Sequence, residues 1–440
     1  MGRITPLALM RLRGVIGMEN NKKIYIAVAV AVLIAVVAWV AWPLFRTPGP
    51  SVVDQKIEAI EKRLDVLVEK IEKKEKWCNQ TDKSLFSVAD SLFNNGNNYL
   101  AAEYLKRNMN CSFENSIQKW GINKQVLATY HSFSGQYEKA EMEFPLKEVQ
   151  PKKLKKLKRK SIEDIGRKNQ FVLFNEAHHV PRHRYLVGSL LKDYYNLGFR
   201  FLGLEALFND SIVQRGYLNC SDGVYTRDPI MGNLIREAKR IGYQVFKYEG
   251  TSTGQERERE QIKGIKENTL DVCPNAKAII LAGYSHINEG PDTRHKWMGG
   301  LLHEELGINP YTINQTYLMP KFIERKEKSG VWYDQENERA LLNDMLIKNV
   351  LTIENNCFSL RKHLKIELSI PSKIKIVNNE TIILVYYKDE FEQGGSTAVP
   401  TFTKVIDYRK QIKLELCEGS YIIQIKDING SILFSKSIDL

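Results

Sequence analysis

The sequence predicts an α/β protein: a mostly parallel sheet flanked by helices, preceded by a transmembrane helix and helical stalk, and followed by a small antiparallel β-sandwich. Three observations predict it. Residues 24–42 form an uncharged apolar run. Between Asn169 and about Pro320, short apolar runs alternate with amphipathic helical stretches. From about Lys362, apolar and polar residues alternate in short segments bounded by turn residues.

The 440 residues leave room for two or three domains, each able to bury a core. Charged residues make up 26% and hydrophobic ones 43%, an ordinary globular balance that excludes wholesale disorder. The net charge of +12 is partly local, since Pro151–Lys160 holds seven Lys or Arg and no acid. No zinc-finger spacing or stacking motif accompanies that charge, so no nucleic-acid partner is predicted.

Ile24–Trp42 would span roughly 28 Å as a helix, close to the hydrocarbon thickness of a bilayer. Trp39 and Trp42 sit at one end, where interfacial aromatics belong, and Pro43 stops the helix. Arg3, Arg11, Arg13, Lys22 and Lys23 precede the run, and Arg46 alone follows it closely. The bias predicts a cytoplasmic N-terminus (1–23), an anchor (24–45) that is the membrane contact, and a bulk that is periplasmic or extracellular. A cleaved signal peptide is the competing reading, but the run is longer than a signal core and no A-x-A-like site follows it. Met18 offers a second plausible start.

Residues 46–80 read as linker and stalk. Val53, Ile57, Ile60, Leu64, Leu67 and Ile71 form an a/d seam of about three heptads. A parallel coiled coil over 53–71 would make a homodimer; otherwise the helix folds back on its own domain. Residues 81–168 read as a helical spacer. Gly96 and Gly135 each open a segment with Tyr and Ala three apart, Tyr99–Ala102 and Tyr137–Ala140, a weak tetratricopeptide-like echo. The Lys-rich end of the spacer is expected to dock through Leu154, Leu157, Ile162 and Ile165.

In residues 169–321 the predicted strands are Phe171–Phe174, Arg200–Leu204, Tyr243–Lys247, Ala278–Ala282 and Tyr311–Asn314. The predicted helices are Leu186–Leu197, Asn233–Ile241, Arg257–Glu267 and Trp297–Leu306. Gly198 and Gly242 fall where a helix takes its left-handed C-terminal cap. The residues just past the strands carry the chemistry: Asn175-Glu176-Ala177-His178-His179, Glu205, Tyr248-Glu249, Gly283-Tyr284-Ser285-His286 and Gln315. In an open parallel sheet those carboxyl ends share one edge, where ligands bind. A lone histidine after a strand is usually structural. Charges gathered from several strands on one edge are costly without a purpose.

The ordered set NEAHH, GFRFLGLEAL, DPIMGNLIREAKRIGYQVFKYE, REREQ and AGYSHINE resembles the erythromycin-esterase-like superfamily, which includes the ChaN-like haem-binding lipoproteins and the TIKI/TraB-type proteases. The resemblance covers about 150 of the 440 residues. Its shared pattern is two Gly-x-x-His motifs and strand-end glutamates. The second motif is intact at Gly283–His286. The first has Asn175 where the family commonly has Gly, and His178 or His179 is its histidine.

The resemblance implies a hydrolase acting on an ester, amide or peptide bond of a small-molecule or peptide substrate. Glu176, His178, His179, Glu205, Glu249 and His286 would be catalytic. In the metal-free version a histidine held by a glutamate is general base to water. In the other, His178, His179, Glu205 and His286 would hold a zinc- or manganese-type ion. Haem is the alternative cofactor. Arg184, Tyr248, Arg259, Tyr284 and Gln315 are the expected substrate-binding groups, although a run such as REREQ commonly reads as a solvated helix face. Glu289 is a further candidate for the pocket, with His183, His295 and His303 lesser ones. Ser285 lacks a Gly-x-Ser-x-Gly elbow, which excludes a serine hydrolase there.

Residues 322–361 read as a connector, helical or irregular over Phe322–Asn349. Residues 362–440 read as the β-sandwich, seven short strands with Asn429-Gly430 as a hairpin turn. Six dispersed cysteines with no CxxC pair exclude a disulfide-built scaffold, though outside the cytoplasm a bridge such as Cys78–Cys111 could form. Two functions compete with hydrolysis: a haem-, metal- or small-ligand-binding envelope protein, and a catalytically inactive envelope scaffold.

Overall fold

The computed structural model describes residues 85–440 except 113–116, 147–148, 209–214, 291–294, 321–329, 335, 337–341, 354–356, 359–362, 369–379 and 408–411. The expected N-terminus, anchor and stalk with its coiled-coil seam lie outside the described residues, as does Cys78. No described helix is long and apolar enough to cross a membrane.

Among the described residues four helices come first: α1 (Leu85–Asn94), α2 (Asn98–Ser112), α3 (Ile117–Phe133) and α4 (Tyr137–Glu143). Gly96 and Gly135 take φ of +76° and +74° in the turns joining α1 to α2 and α3 to α4. The echoed sequence therefore marks two helix hairpins, each turned by a residue for which the left-handed conformation costs little. Ala89, Phe93, Ala102, Leu105, Leu127 and Phe133 of α1, α2 and α3 form one core.

The central sheet has eight strands in the order β1-β7-β8-β6-β2-β5-β3-β4. These are β1 (Lys155–Lys156), β2 (Phe171–Glu176), β3 (Phe199–Leu204), β4 (Gln244–Lys247), β5 (Lys277–Gly283), β6 (Tyr311–Asn314), β7 (Val331–Asp334) and β8 (Met345–Asn349). The pairs among β8, β6, β2, β5, β3 and β4 are all parallel, while β1 and β7 close one edge antiparallel. Among the described residues five helices accompany it: α5 (Arg159–Lys168), α6 (Pro181–Asn196), α7 (Pro229–Ile241), α8 (Gly254–Asn268) and α9 (Met298–Leu306).

Alternate strand residues feed two cores. Val172, Phe174, Leu202, Leu204, Ile279 and Leu281 pack against α6 and α7 residues such as Leu190, Leu191, Leu234 and Ile235. Phe171, Leu173, Phe201, Phe246, Ile280 and Ala282 pack with Ile262 and Ile265 of α8 and Leu301 and Leu302 of α9. Burial on both faces is why these strands read as continuous apolar runs. Helix α7 is bounded as its sequence dictates. Asp228 accepts from Ile230 N and Met231 N at the start, Pro229 occupies the first turn, and Gly242 ends the helix at φ +111°.

Two expectations change here. The connector 322–361 is not merely helical or irregular, because β7 and β8 come from it and widen the sheet. Strand β8 is buried throughout, so its MLIKN carries no alternation to read. Of the four docking residues, Ile162 and Ile165 are buried and Leu157 packs on the core, but Leu154 is exposed.

The C-terminal region holds a four-stranded antiparallel sheet, β11-β10-β13-β14, and a two-stranded one, β12-β9. The strands are β9 (His363–Leu368), β10 (Glu380–Tyr387), β11 (Phe402–Asp407), β12 (Ile412–Cys417), β13 (Ser420–Asp427) and β14 (Ile432–Asp439), with a short helix α10 (Lys388–Gly394) after β10. The seventh expected strand, SKIKIV, falls outside the described residues. Both sheets contribute to one core of Leu368, Ile383, Val385, Leu414, Leu416, Tyr421 and Ile423. Gly430, at φ +91°, turns the β13–β14 hairpin. Cys357 is bonded to Cys417, whereas Cys220 and Cys273 are free thiols. The region is docked on the central one: Asn233 of α7 meets Thr401 in two hydrogen bonds of 2.7 and 2.8 Å, and Arg236 forks onto Glu390 of α10.

Candidate active site

The strand order places the ends of β2, β5, β3 and β4 side by side, so Glu176, Gly283, Glu205 and Glu249 meet along one edge. The chain leaves β2 for β3 and β4 and returns to insert β5 between β2 and β3, the kind of strand reversal at whose edge doubly wound sheets bind ligands.

One half of the site is built from β2 and the start of α6. Glu176 is buried and accepts from Arg184 Nε at 2.6 Å and Nη2 at 2.5 Å. Arg184, itself 0% exposed, reaches Asp228 at the N-terminus of α7 through Nη1 at 2.5 Å. Burial alone would raise the Glu176 pKa, but the Arg184 charge and the bonds from His178 and Arg184 outweigh it and bring it to about 2. For Asp228 burial prevails over Arg184 and its pKa rises. His178 donates Nδ1–H to Glu176 at 2.9 Å, which leaves Nε2 as the acceptor nitrogen. Its ring stacks on Tyr225 at 4.0 Å and meets Tyr284 edge-on at 5.1 Å. No hydrogen bond from the described residues reaches Nε2.

The other half comes from β3, β4, β5 and α8. Glu205 accepts from the Gly283 backbone N–H and from Arg257 Nη2, the latter at 2.9 Å. Arg257 also forks onto Glu249 at 2.8 Å through both Nε and Nη2, and donates Nη1–H to His286 Nε2 at 2.9 Å. His286 Nδ1 meets a Glu258 carboxylate oxygen at 2.9 Å, and Met298 N–H holds Glu258 in turn. His286 Nε2 lies 3.6 Å from Glu205. Burial would lower the His286 pKa; the Glu258 bond and the charges of Glu205 and Glu258 outweigh it and raise it. Burial pushes Glu249 up, and Arg257 overrides this and lowers it.

Gly283 lies between the halves. A Cβ there would stand 2.8 Å from His178 Nε2 and 2.9 Å from Glu205 Oε2, so the absence of a side chain is what allows the two to approach. The next residue, Tyr284, adopts φ +40°, a costly conformation for a non-glycine. It is pinned by its N–H to Glu176 O at 2.9 Å, by Asn175 Nδ2 to its carbonyl at 2.6 Å, and by Gln125 of α3 to its hydroxyl at 3.1 Å.

Of the side chains named from sequence, Glu176, His178, Glu205, Glu249 and His286 converge, and Arg184 and Tyr284 join them. Others do not. His179 is buried against Phe144, with burial lowering its pKa to about 4. Tyr248 is buried and donates to Leu281 O at 2.9 Å. Gln315 ties Asn175 to the Asn349 amide as an internal strut. Arg259 is 52% exposed and contacts Glu305 and Glu256, the solvated-face reading of its run. Glu289 turns to Thr312; burial, with Asp344 adding to it, raises its pKa to about 7. His183 accepts from Ala177 N, His295 stands 3.5 Å from Glu258, and His303 is exposed. Asn175 is accounted for locally, since both ends of its amide hold the β2, β5 and β6 ends together.

The sequence reading missed Arg257, Glu258 and Asp228. A signal existed for Glu258: Ile262 and Ile265 define the buried face of α8, and stepping back by four and seven residues lands on it. Arg257 sits on the flank of that face, where nothing in the pattern separates it from its charged neighbours.

The donor set expected for a metal does not fit one. His179 packs against Phe144, and a guanidinium fills the space among Glu205, Glu249 and His286. Among the described residues no group of three or more His, Cys, Asp or Glu is arranged to hold an ion.

No family model matches the chain, and no curated protein matches it. A solved structure, that of the type III effector HopBA1, is similar at 13% identity over 43% of this chain and 91% of that one, with a TM-score of 0.27. A likeness so distant bears on neither the chemistry nor the fold.

Proposed function

We propose that the chain is a membrane-anchored, extracytoplasmic hydrolase of the erythromycin-esterase-like type, cleaving an ester, amide or peptide bond. The observation that carries this reading is the Glu176–His178 pair. A carboxylate kept ionised by Arg184 accepts the Nδ1 proton of His178, and the ring's other nitrogen faces the crevice across Gly283. That is the arrangement a general base needs, with tautomer fixed and basicity supported. A water on His178 Nε2 gives up its proton as its oxygen bonds to the substrate carbonyl carbon. Collapse of the resulting intermediate expels an alcohol or amine, which takes the proton back.

The intact Gly-x-x-His motif at the end of β5 and the strand-end glutamates support the family reading. The anchor at 24–45, the coiled-coil stalk at 53–71 and a sandwich over 362–440 belong to the same proposal. The Cys357–Cys417 bridge supports an oxidising compartment. The test is turnover of activated aryl esters and anilides by the parent, His178→Ala and Glu176→Gln. Loss in both variants is expected. A His178→Ala protein as active as its parent ends the reading.

A further inference from the structure

Glu205, Glu249 and His286, two carboxylates and an imidazole, come from three different strand ends and face one point. A side chain of the same protein occupies that point. Arg257, in the first turn of α8, is bonded to all three. A guanidinium only donates, so His286 Nε2 is here an acceptor, with the ring proton on Nδ1 against Glu258. In its neutral form His286 spends its Nε2 lone pair on holding Arg257. The fork onto Glu249 fixes the plane of the guanidinium, which a lysine could not match.

Two features direct this cation at a ligand. Its side chain is 30% exposed, more than any other charged group of the site. Its bonds to Glu249, Glu205 and His286 use four of the five N–H groups a guanidinium carries, and the second Nη1–H has no partner among the described residues.

We propose that Arg257 stands in the place of a metal ion: its open Nη1–H meets the substrate's carbonyl oxygen and holds the negative charge that grows there. This rests on the hydrolase reading above. As the water oxygen bonds to the carbonyl carbon and the water proton passes to His178 Nε2, the carbonyl π pair moves onto oxygen beside Arg257. When the C=O re-forms, the bond to the leaving group breaks and the His178 proton goes to that group. Glu205, Glu249 and His286 are positioning residues for Arg257, and no further reactant enters.

The experiment uses the full chain, activated aryl esters and anilides, and the variants Arg257→Ala, Arg257→Lys and His178→Ala. Guanidinium chloride is added at millimolar concentration, and Mn²⁺ and Zn²⁺ are titrated by calorimetry. Losing one oxyanion donor is expected to cost Arg257→Ala and Arg257→Lys about 10²–10³-fold in kcat with little change in KM. Free guanidinium should restore about tenfold or more of the Arg257→Ala rate, in line with recovery of most of one charged contact, and nothing to His178→Ala. Should Arg257→Ala fail to fold by circular dichroism, Arg257→Lys decides. Stoichiometric Mn²⁺ or Zn²⁺ uptake by the parent that disappears in His286→Ala overturns the proposal. So does an Arg257 variant as fast as the parent beside an inactive His178→Ala, which leaves the hydrolase reading standing. A parent that turns over none of the panel overturns both.

Discussion

The two halves of the site use the same ingredients to opposite ends. On the β2 side, an arginine with no exposure holds two buried carboxylates, and the histidine keeps one ring nitrogen clear. On the β3–β4–β5 side, the arginine is partly open to solvent and the histidine has both ring nitrogens engaged. One half secures a histidine by means of an arginine; the other secures an arginine by means of a histidine. The difference teaches that strand-end histidines in one motif pattern need not share a role, since the role is set by which nitrogen the neighbours leave unoccupied.

The largest effect should come from breaking the closed half. Arg184→Met strips Glu176 and Asp228 of their shared partner inside the protein. Breaking a buried pair of this kind costs about 3–5 kcal/mol, read as a fall in the urea midpoint. A midpoint within error of the parent would mean that both carboxylates find other partners. Next comes the contact between the halves. Gly283→Ala forces a Cβ against His178 and Glu205, with about 1–3 kcal/mol of overpacking expected and a loss of turnover larger than that of stability. Equal activity with equal stability would mean that the halves are not coupled through this position.

pH separates the halves further. Glu176 has its pKa depressed to about 2, so its stabilisation is present above the unfolded value and is lost as pH falls through about 2. His286 has its pKa raised, so its contribution is complete below about 6.5 and is lost as pH rises through the folded value. The parent should therefore weaken at both ends of a denaturation series run from acid to alkaline pH. Glu258→Gln removes the main partner that raises His286 and should flatten the alkaline limb while leaving the acid limb in place. An unchanged alkaline limb in that variant would assign it to another group. The smallest effect belongs to a residue in neither half: Arg259→Ala should change stability by less than about 0.5 kcal/mol and leave turnover alone.

Legibility tracked the physics of each element. Strands β2 to β6 could be read almost to their ends, because a strand buried on both faces must be continuously apolar and these are bounded by turn residues. The same burial hid β8, whose short run carries no alternation to set it apart. In the site, Glu176, His178, Glu205 and His286 were legible because parallel strands deliver their carboxyl ends to one edge. His179 could not be told from His178 in advance. Successive residues after a strand point apart, and only the fold says which way the crevice lies. Arg257 and Arg259 posed the same problem on a helix, where a two-residue step turns a side chain by roughly 200°.

The sequence by itself determined the alternation of strand and helix, the glycine cap at Gly242, the hairpin turn at Gly430, and the gathering of acids and histidines at strand ends. These depend on local conformational preference and on hydrophobic period, both of which operate within a few residues. Tertiary structure alone decided that the helical region supplies Gln125 to Tyr284, that Asp228, the cap of α7, anchors Arg184, and that Arg257 lies among three groups from three strands. Each of these joins residues distant in sequence, and a charge finds such a partner only after the sheet has closed the distance and removed the competing water.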